Sequence, residues 1–416
     1  MKYLILIGDG MADHAQTSIG GKTPLEAANK PDMDYIASRG TIGRSVNCPA
    51  PLAPGSDTAI LSIFGCDPAK YYFGRAPLEA AAQGITVPPG ALAFRCNMAS
   101  ISTEPEAFGL HTMKSHSAGG IDGAASRKLV TDLFANPEFA SFAEKCGVSV
   151  YPTDSYRHIC VCDKPLETDY GKLKFYPPHD NLGAALKDIL PNDKILTALM
   201  EQSYTFLSRH PINLERETRG ELPANCIWFW ASGTSAKLPD FYERYGKRGS
   251  VISAVPLCHG IGILQGLKVI SVPGATGELD TNYGGKAEAA LKAFDEGDDF
   301  ICLHVEAPDE CTHNSDLPGK IQAIENIDSL VLAPLLDGFK TRGEDFRLLL
   351  ISDHYTLSEN GQHDATPVPY VIYSNNNEQI SNIRDDGLPI RYTERDFSGA
   401  PLTEDGCKLI ERLFKP

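Results

Sequence analysis

The stretch 299-DFICLHVEAPDECTH-313 joins an apolar run to a loop rich in polar side chains. The run over residues 299–305 is typical of a strand that is buried on both faces of a parallel sheet. Directly after it, Asp309 and His313 stand four residues apart, so an acid and an imidazole can converge. In open α/β sheets, binding sites form at the carboxyl ends of strands. The stretch therefore predicts a sheet protein with a polar site at one edge of the sheet.

Apolar strands and helical patterns alternate at both ends of the chain. The strand 2-KYLILIG-8 opens the chain, and the strand 346-FRLLLIS-352 lies near its end. Between them, residues 286–297 and 319–339 each show the pattern of a helix with one apolar face. This alternation predicts an α/β fold, with a mostly parallel sheet covered by helices on both faces.

The middle of the chain differs from its two ends. Shorter apolar segments, such as 91-ALAFRCNMASIS-102 and 226-CIWFWASG-233, are separated there by turn-rich and charged stretches. A chain of 416 residues is also long for a single core. We expect residues 87–260 to form a smaller inserted α+β domain, and residues 1–86 and 261–416 to form the discontinuous sheet domain.

Composition excludes several classes of protein. The net charge of −16 argues against a nucleic-acid partner, which would need a basic surface. No apolar stretch is long enough to suggest a membrane span, and the N-terminus does not resemble a signal peptide. The 11 cysteines include no CxxC pair, so we expect reduced thiols and a cytoplasmic protein.

Potential metal ligands occur at strand ends or in adjoining loops at four places along the chain. They are Asp9, the pair Ser56 and Asp57, the pair Asp309 and His313, and the group Asp353, His354 and His363. Read singly, each has a plain alternative, such as a turn residue for Asp9. Asp9, Asp309 and Asp353 together with the three histidines are too many ligands for one zinc ion with an open position, and suit two divalent ions.

A serine beside two ions has a chemical role. Its free hydroxyl is a poor nucleophile at neutral pH, and no histidine adjoins Ser56 in the sequence to act as a base. A divalent metal lowers the pKa of a hydroxyl, so Ser56 could accept a phosphoryl group transiently. Ser56 could also be the N-cap of the following apolar helix, and the two roles are compatible because a helix N-terminus stabilises phosphate.

Five segments resemble a known family. They are 4-LILIGDGMAD-13, 54-PGSDTA-59, 307-APDECTH-313, 351-ISDH-354 and 362-QHDATPVP-369. They are similar to the metal-binding segments of the alkaline phosphatase superfamily, and more narrowly of archaeal-type cofactor-independent phosphoglycerate mutases. The resemblance extends over nearly the whole chain. It implies a phosphatase-like metal domain, an inserted substrate domain that closes over it, and a small phosphorylated carboxylate as substrate.

The resemblance also implies roles for individual residues. Ser56 would be the phosphorylated nucleophile, with Lys286 near the transferring group. One metal ion would bind Asp9, Ser56, Asp353 and His354, and the other Asp309, His313 and His363. The substrate-binding residues of the inserted domain would be Arg95, Arg157, His158, His179 and Asp180. Mn²⁺ is the first expectation for both ions, with Zn²⁺, Co²⁺ or Mg²⁺ as alternatives.

The inserted domain departs from the family pattern at Gly120, in 116-HSAGGI-121, where family members commonly carry a basic residue. His111 and His116 are the nearby candidates to supply that charge. We expect interconversion of 3-phosphoglycerate and 2-phosphoglycerate without bisphosphoglycerate. The alternatives are a homoserine kinase-like phosphotransferase or a phosphomonoesterase with the same metal site, and a metal-binding protein without activity.

Overall fold

The computed structural model describes residues 1–104, 107–235, 237–376 and 381–415. Contacts between Cα atoms divide the chain into two compact units. The large unit consists of Met1–Tyr72 and Lys237–Pro416, and the small unit is the continuous stretch Phe73–Ala236. No helix in these described ranges is long and apolar enough to cross a membrane.

Both units combine strands and helices. The strands are, in chain order, β1 (Lys2–Gly8), β2 (Thr41–Ser45), β3 (Leu92–Ile101), β4 (Met113–Ser115), β5 (Val148–Tyr151), β6 (Arg157–Cys162), β7 (Cys226–Thr234), β8 (Gly249–Ile252), β9 (Lys268–Ile270), β10 (Phe300–Val305), β11 (Phe346–Ile351), β12 (Tyr355–Thr356), β13 (His363–Asp364), β14 (Val368–Ser374) and β15 (Leu402–Thr403). The helices are α1 (Pro24–Ala27), α2 (Pro31–Arg39), α3 (Ser56–Ile63), α4 (Pro68–Tyr71), α5 (Arg75–Ala82), α6 (Gly123–Ala135), α7 (Pro137–Cys146), α8 (Leu186–Ile189), α9 (Lys194–Leu207), α10 (Pro211–Thr218), α11 (Phe241–Tyr245), α12 (Pro256–Leu264), α13 (Tyr283–Asp295), α14 (Ala307–His313), α15 (Leu317–Asn326), α16 (Ala333–Arg342) and α17 (Leu409–Phe414).

The large unit is built on an eight-stranded sheet in the order β15-β2-β14-β11-β1-β10-β8-β9. All its strand pairs are parallel except those that β14 makes with β11 and with β2. The prediction of a mostly parallel sheet is confirmed. The inner strands β1 and β10 are almost entirely buried, as their continuous apolar sequences require.

Helices cover both faces of this sheet. On one face, Leu4 and Leu303 belong to a cluster that includes Ala290 of α13 and Ile324 of α15. On the other face, the ring of Phe300 stacks on Phe241 of α11, with ring centroids 4.6 Å apart. Successive residues of β1 and of β10 therefore point to opposite faces of the sheet, where they pack against different layers of helices.

The small unit has its own antiparallel sheet and its own core. β3 lies between β6 and β7, and all ten of its residues are buried. Its apolar cluster includes Phe94, Trp228 and Leu199 of α9. On the opposite face, Ala76 and Ala80 of α5 pack against Ala93.

The edges of the small unit differ from the predicted insertion of residues 87–260. Helix α5 lies before that range, yet it packs on β3 and β7 of the small unit. Strand β8 lies inside that range, yet it pairs in parallel with β10 of the large sheet. The edges therefore move to Tyr72/Phe73 and Ala236/Lys237. These edges depend on pairing between strands that are far apart in sequence. Local composition cannot predict such pairing.

Candidate functional site

The sheet order brings the polar residues of the large unit to one edge. Asp9 directly follows β1, Asp353 lies just beyond β11, and Asp309 lies in α14 just beyond β10. These three strands are neighbours and run in parallel, so their carboxyl ends coincide. The expected convergence at the end of the sheet is therefore present in the structure.

One group of side chains surrounds the hydroxyl of Ser56. Its Oγ lies 3.1 Å from His354 Nε2 and 3.5 Å from Asp9 Oδ2. His354 Nε2 is also 3.1 Å from Asp353 Oδ2 and 3.6 Å from Asp9 Oδ1. The other oxygen of Asp353, Oδ1, accepts hydrogen bonds from the backbone N–H groups of Gly10 and His354. The structure thus brings together all four residues that the resemblance implied for one ion.

A second group lies beside the first. Asp309 Oδ2 is 3.2 Å from His313 Nε2, and Asp309 Oδ1 is 3.4 Å from His363 Nε2. The two Nε2 atoms of His313 and His363 are 3.0 Å apart. Potential ligand atoms of these three residues all lie within 4.8 Å of one another, as an ion between them requires.

The two groups join into one cluster. The rings of His354 and His363 stack with centroids 4.0 Å apart. Asp9, Asp309 and His354 also form a set whose ligand atoms lie within 4.8 Å of one another. Thr356 connects the two groups, because its hydroxyl donates to Asp309 Oδ1 and lies 3.2 Å from His354 Nδ1.

The cluster has the chemistry that a cation would complete. Asp9 Oδ1 and Asp353 Oδ2 are buried and make no hydrogen bond to the described residues. Burial raises the pKa of Asp9 well above its usual value, and repulsion from Asp353 and Asp309 raises it further. Buried carboxylate oxygens without donors are costly unless an ion or a proton satisfies them. The donor set of carboxylate oxygens and imidazole nitrogens suits divalent ions, and so supports a divalent-metal site.

The serine stands at the start of helix α3 without capping it. Gly55 is the N-cap residue of α3, and no side chain makes a cap hydrogen bond there. Ser56 is the first helical residue, and its hydroxyl is directed to His354 and Asp9. The expectation that Ser56 could serve as the N-cap is therefore wrong. The structure also supplies a histidine partner for Ser56 that the sequence did not show.

Lys286 lies on α13, fully buried, and its Nζ donates to the backbone carbonyl of His304. Burial lowers the pKa of Lys286 to about 8, and the nearby Glu306 carboxylate opposes that shift. The ammonium of Lys286 thus places a buried positive charge next to the carboxyl end of β10.

Two further residues belong to this region and were missed by the sequence reasoning. His304, on β10, places Nε2 3.0 Å from Asp9 Oδ2. Ser253, just after β8, places Oγ 3.0 Å from His304 Nδ1. The available signal was a histidine inside the otherwise apolar strand 300-FICLHV-305.

In the small unit, aromatic and basic side chains form a second cluster. The guanidinium of Arg157 lies over the rings of Trp230 and Tyr156, with centroid distances of 5.7 and 5.3 Å. The ring of His179 lies 5.1 Å from that of Trp230 and 5.9 Å from that of His116. The structure therefore brings Arg157 and His179 together, and adds His116, a candidate for the charge missing at Gly120.

Arg95 is committed to a different contact. Its guanidinium forms a bidentate, buried ion pair with Glu79. Its Cζ atom also lies 4.6 Å from the ring centroid of Trp230. Both carboxylate oxygens of Glu79 are used in this pair. Arg95 thus contacts the cluster through Trp230, while its Nε and one Nη nitrogen are already bound to Glu79.

The predicted residues His158 and Asp180 and the candidate His111 differ in burial and in their contacts. His158 is fully buried, with Nε2 3.0 Å from Ser126 Oγ and Nδ1 accepting from the Thr153 backbone N–H. Both ring nitrogens of His158 thus have partners within the small unit, and its assignment to substrate binding stays a prediction. Asp180 is exposed and lies 3.5 Å from His179. His111 is buried against Tyr204, with ring centroids 4.8 Å apart, and burial lowers the pKa of its imidazole.

The fold and the cluster define an α/β protein with a candidate divalent-metal centre around a serine hydroxyl. Residues 37–213 match the family model described as 2,3-bisphosphoglycerate-independent phosphoglycerate mutase. A protein of that name from Methanosarcina acetivorans is 44% identical over 376 residues, which cover 90% of this chain and 90% of the relative. A probable enzyme of that name from Geobacter sulfurreducens is 39% identical over the full length of both chains. The chain belongs to the 2,3-bisphosphoglycerate-independent phosphoglycerate mutase family.

Solved structures agree with this membership. A Pyrococcus horikoshii protein is 26% identical, with a TM-score of 0.78 over 99% of this chain and 97% of that one. A cofactor-independent phosphoglycerate mutase from Thermoplasma acidophilum is 25% identical, with a TM-score of 0.59 over 99% of both chains. The similarity thus covers both compact units.

Proposed function

We propose that this protein interconverts 3-phosphoglycerate and 2-phosphoglycerate through a phosphoserine at Ser56, without added bisphosphoglycerate. The observation that carries the proposal is the position of Ser56 Oγ, 3.1 Å from His354 Nε2 and beside carboxylate oxygens that lack donors. The family relatives described above bear the name of this activity. They do not favour a homoserine kinase-like enzyme or a phosphomonoesterase.

The proposed reaction consists of two phosphoryl transfers, one to Ser56 and one from it. Ser56 Oγ forms a bond to phosphorus while the bond from phosphorus to the 3-oxygen of the substrate breaks, and the serine proton ends on that oxygen. The glycerate then turns, and its 2-hydroxyl oxygen takes the phosphoryl group while its proton returns to Ser56. Lys286 adds positive charge near the strand end. Water must stay away from the phosphoserine between the two transfers, since hydrolysis would end the cycle.

We propose two divalent ions, held by the residues that the sequence suggested. Asp9, Ser56, Asp353 and His354 would hold one, and Asp309, His313 and His363 the other. When bound, such ions lower the pKa of the serine hydroxyl and neutralise charge on the phosphoryl oxygens. Mn²⁺ is the first candidate, because it accepts mixed imidazole and carboxylate ligands, and Zn²⁺, Co²⁺ and Mg²⁺ are the alternatives.

We further propose that Arg157, rather than Arg95, binds the substrate carboxylate in the small unit. Arg157 Nε makes no hydrogen bond to the described residues, whereas Arg95 is held by Glu79. A guanidinium can bind a carboxylate with two parallel hydrogen bonds, and an ammonium cannot.

The variant Arg157→Lys tests this ranking. It keeps the charge and loses the planar fork, so KM for 3-phosphoglycerate should rise about tenfold, equivalent to ~1.4 kcal/mol, with kcat less affected. Lys128→Arg, at an exposed pair on α6, is the control and should leave KM unchanged. An unchanged KM in Arg157→Lys would remove Arg157 from substrate binding.

The proposed reaction can be followed by phosphorus NMR. The Mn²⁺-treated protein, freed of excess ion, is mixed with 3-phosphoglycerate and no 2,3-bisphosphoglycerate. We expect a 2-phosphoglycerate signal to grow, and Ser56→Ala to abolish it. Inorganic phosphate as the sole product would indicate a phosphomonoesterase. No change with phosphoglycerate, together with phosphorylation of homoserine by ATP, would overturn the proposal in favour of the kinase-like alternative.

We also propose a reducing, cytoplasmic location. All 11 cysteines are free, and ten of them are buried. Free buried thiols in this number are typical of compartments that keep cysteines reduced.

A further inference from the structure

We infer that His304 and Ser253 form a positioning pair for Asp9, in which His304 donates a hydrogen bond from Nε2 and is not itself a metal ligand. This inference rests on the proposed function in one respect, namely that Asp9 binds an ion. It adds two residues that the sequence reasoning and the family resemblance left without a role.

The pair extends across three neighbouring strand ends. Ser253 directly follows β8, His304 is the fifth residue of β10, and Asp9 directly follows β1. These strands are adjacent and parallel in the order β1-β10-β8. Ser253 Oγ lies 3.0 Å from His304 Nδ1, and His304 Nε2 lies 3.0 Å from Asp9 Oδ2. Parallel pairing thus aligns three side chains in one row.

The direction of each hydrogen bond follows from its neighbours. Ser253 Oγ accepts a hydrogen bond from the backbone N–H of Val255. Its own proton is therefore available for His304 Nδ1, which then accepts. A neutral imidazole carries one proton, so that proton lies on Nε2 and is donated to the Asp9 carboxylate. Ser253 and His304 are both buried, so water does not compete for these bonds.

Two backbone contacts hold the row in place. Lys286 Nζ donates to the backbone carbonyl of His304, and His259 Nε2 lies 2.8 Å from the carbonyl of Ser253. Both atoms belong to helices, α13 and α12, that pack on these strands. The imidazole is consequently fixed by its own side chain and by its backbone.

The consequence falls on the other oxygen of Asp9. Because His304 holds Oδ2, the carboxylate cannot rotate freely, and Oδ1 stays directed to the side of His354. Oδ1 makes no hydrogen bond to the described residues. Donors that orient a ligating carboxylate commonly change metal affinity 10- to 100-fold when removed.

A competing arrangement would make His304 a ligand. Asp9, His304 and Glu306 have potential ligand atoms within 4.8 Å of one another. However, the buried ammonium of Lys286 already interacts electrostatically with Glu306. Repulsion from this nearby positive charge disfavours a cation among Asp9, His304 and Glu306.

NMR of ¹⁵N-histidine-labelled protein, with and without Zn²⁺, separates the two arrangements. We expect the His304 Nε2 proton to be present in both samples and its Nδ1 to carry none. The signal is assigned by its absence in His304→Gln. Loss of the Nε2 proton when Zn²⁺ is added would show direct ligation and overturn the inference. This experiment requires no turnover, so it remains decisive even if the protein acts on another substrate.

Calorimetric titration of metal-free protein with Mn²⁺ supplies a second readout. His304→Gln keeps a donor near the Nε2 position and should keep both affinities within about threefold. His304→Leu and Ser253→Ala should weaken one ion about 10- to 100-fold and leave the ion at Asp309 unchanged. The control is Ser250→Ala, which removes a buried hydroxyl from β8 that donates to Asp298 instead. Equal weakening by Gln and Leu, or no weakening by Leu and Ala, would overturn the positioning role. If His304→Leu does not fold, Ser253→Ala and the NMR experiment decide.

Discussion

At position 10, the backbone and the space around it both require glycine. Gly10 has φ +61°, a conformation that other residues adopt at a cost of about 1–2 kcal/mol. A Cβ atom there would lie 2.5 Å from Thr356 Oγ1 and 2.8 Å from Asp309 Oδ1. Its N–H also donates to Asp353. The glycine thus allows the first loop to contact residues of both proposed ion sites.

We predict that Gly10→Ala weakens ion binding at least tenfold by displacing Asp309, as measured by titration with Mn²⁺. The matched control is Gly20→Ala, which has φ +72° and open space around the added atom. That variant has the same backbone strain, so its free energy of unfolding should fall by about 1 kcal/mol while its ion affinity stays unchanged. Equal ion affinities in the two variants would contradict the steric argument.

At the scale of elements, one buried ion pair fastens helix α5 to strand β3 of the small unit. Burial alone would raise the pKa of Glu79, but the charge and hydrogen bonds of Arg95 outweigh it and hold the pKa at about 2. For Arg95 the opposite holds, because burial outweighs the attraction of Glu79 and lowers its pKa to about 10. A buried ion pair gives little net stability, because the cost of removing two charges from water offsets their attraction. Removing one partner is still expensive, since the other stays buried and charged.

We predict that Glu79→Gln lowers the free energy of unfolding of the small unit by about 3–5 kcal/mol at pH 7. The folded pKa of Glu79 lies below its unfolded value, so its contribution is complete above about pH 4.5 and is lost as the pH falls towards 2. The difference between the two proteins should therefore shrink over that range. Both tryptophans, Trp228 and Trp230, lie in the small unit, so denaturation followed by their fluorescence measures this unit. A difference that stays constant down to pH 2.5 would exclude the ion pair as its cause.

One long helical segment differs from the single helix that the apolar pattern predicts. Residues 319–339 were predicted as one helix, and the structure divides them into α15, a π-helical segment Ile327–Leu332, and α16. Pro334 lies in the first turn of α16 and has no N–H to donate to the preceding turn. A proline in a helical path removes one i→i−4 hydrogen bond, and its ring clashes with the carbonyl four residues earlier. The apolar periodicity predicted the helical path, and the proline changed its hydrogen bonding.

At the scale of the whole molecule, the proposed metal ligands lie at or just beyond the ends of strands and outside the apolar clusters of the two units. Removal of the ions should therefore abolish activity and leave the folded structure. We predict complete loss of turnover after treatment with EDTA, an unchanged far-UV circular dichroism spectrum, and recovery on addition of Mn²⁺. The untreated protein passed through the same buffer exchange is the control. Full activity in verified metal-free protein would exclude the two-ion mechanism.

The sequence by itself determined that polar residues gather at one edge of the large sheet. Apolar strands followed by Asp9, Asp309 and Asp353 predicted a parallel sheet with a polar edge, because parallel strands place their carboxyl ends together. These features are local, so they can be read along the chain. The family segments added the division of these residues between two ions and the role of Ser56 as the phosphorylated nucleophile.

Only the tertiary structure decided which residues meet across long distances in sequence. Parallel pairing placed His304 beside Asp9, and it drew β8 out of the predicted insertion into the large sheet. Packing likewise committed Arg95 to Glu79 and left Arg157 with an unpaired nitrogen. Both arginines read alike in a sequence, because burial and partner choice depend on contacts between segments and not on the residue type.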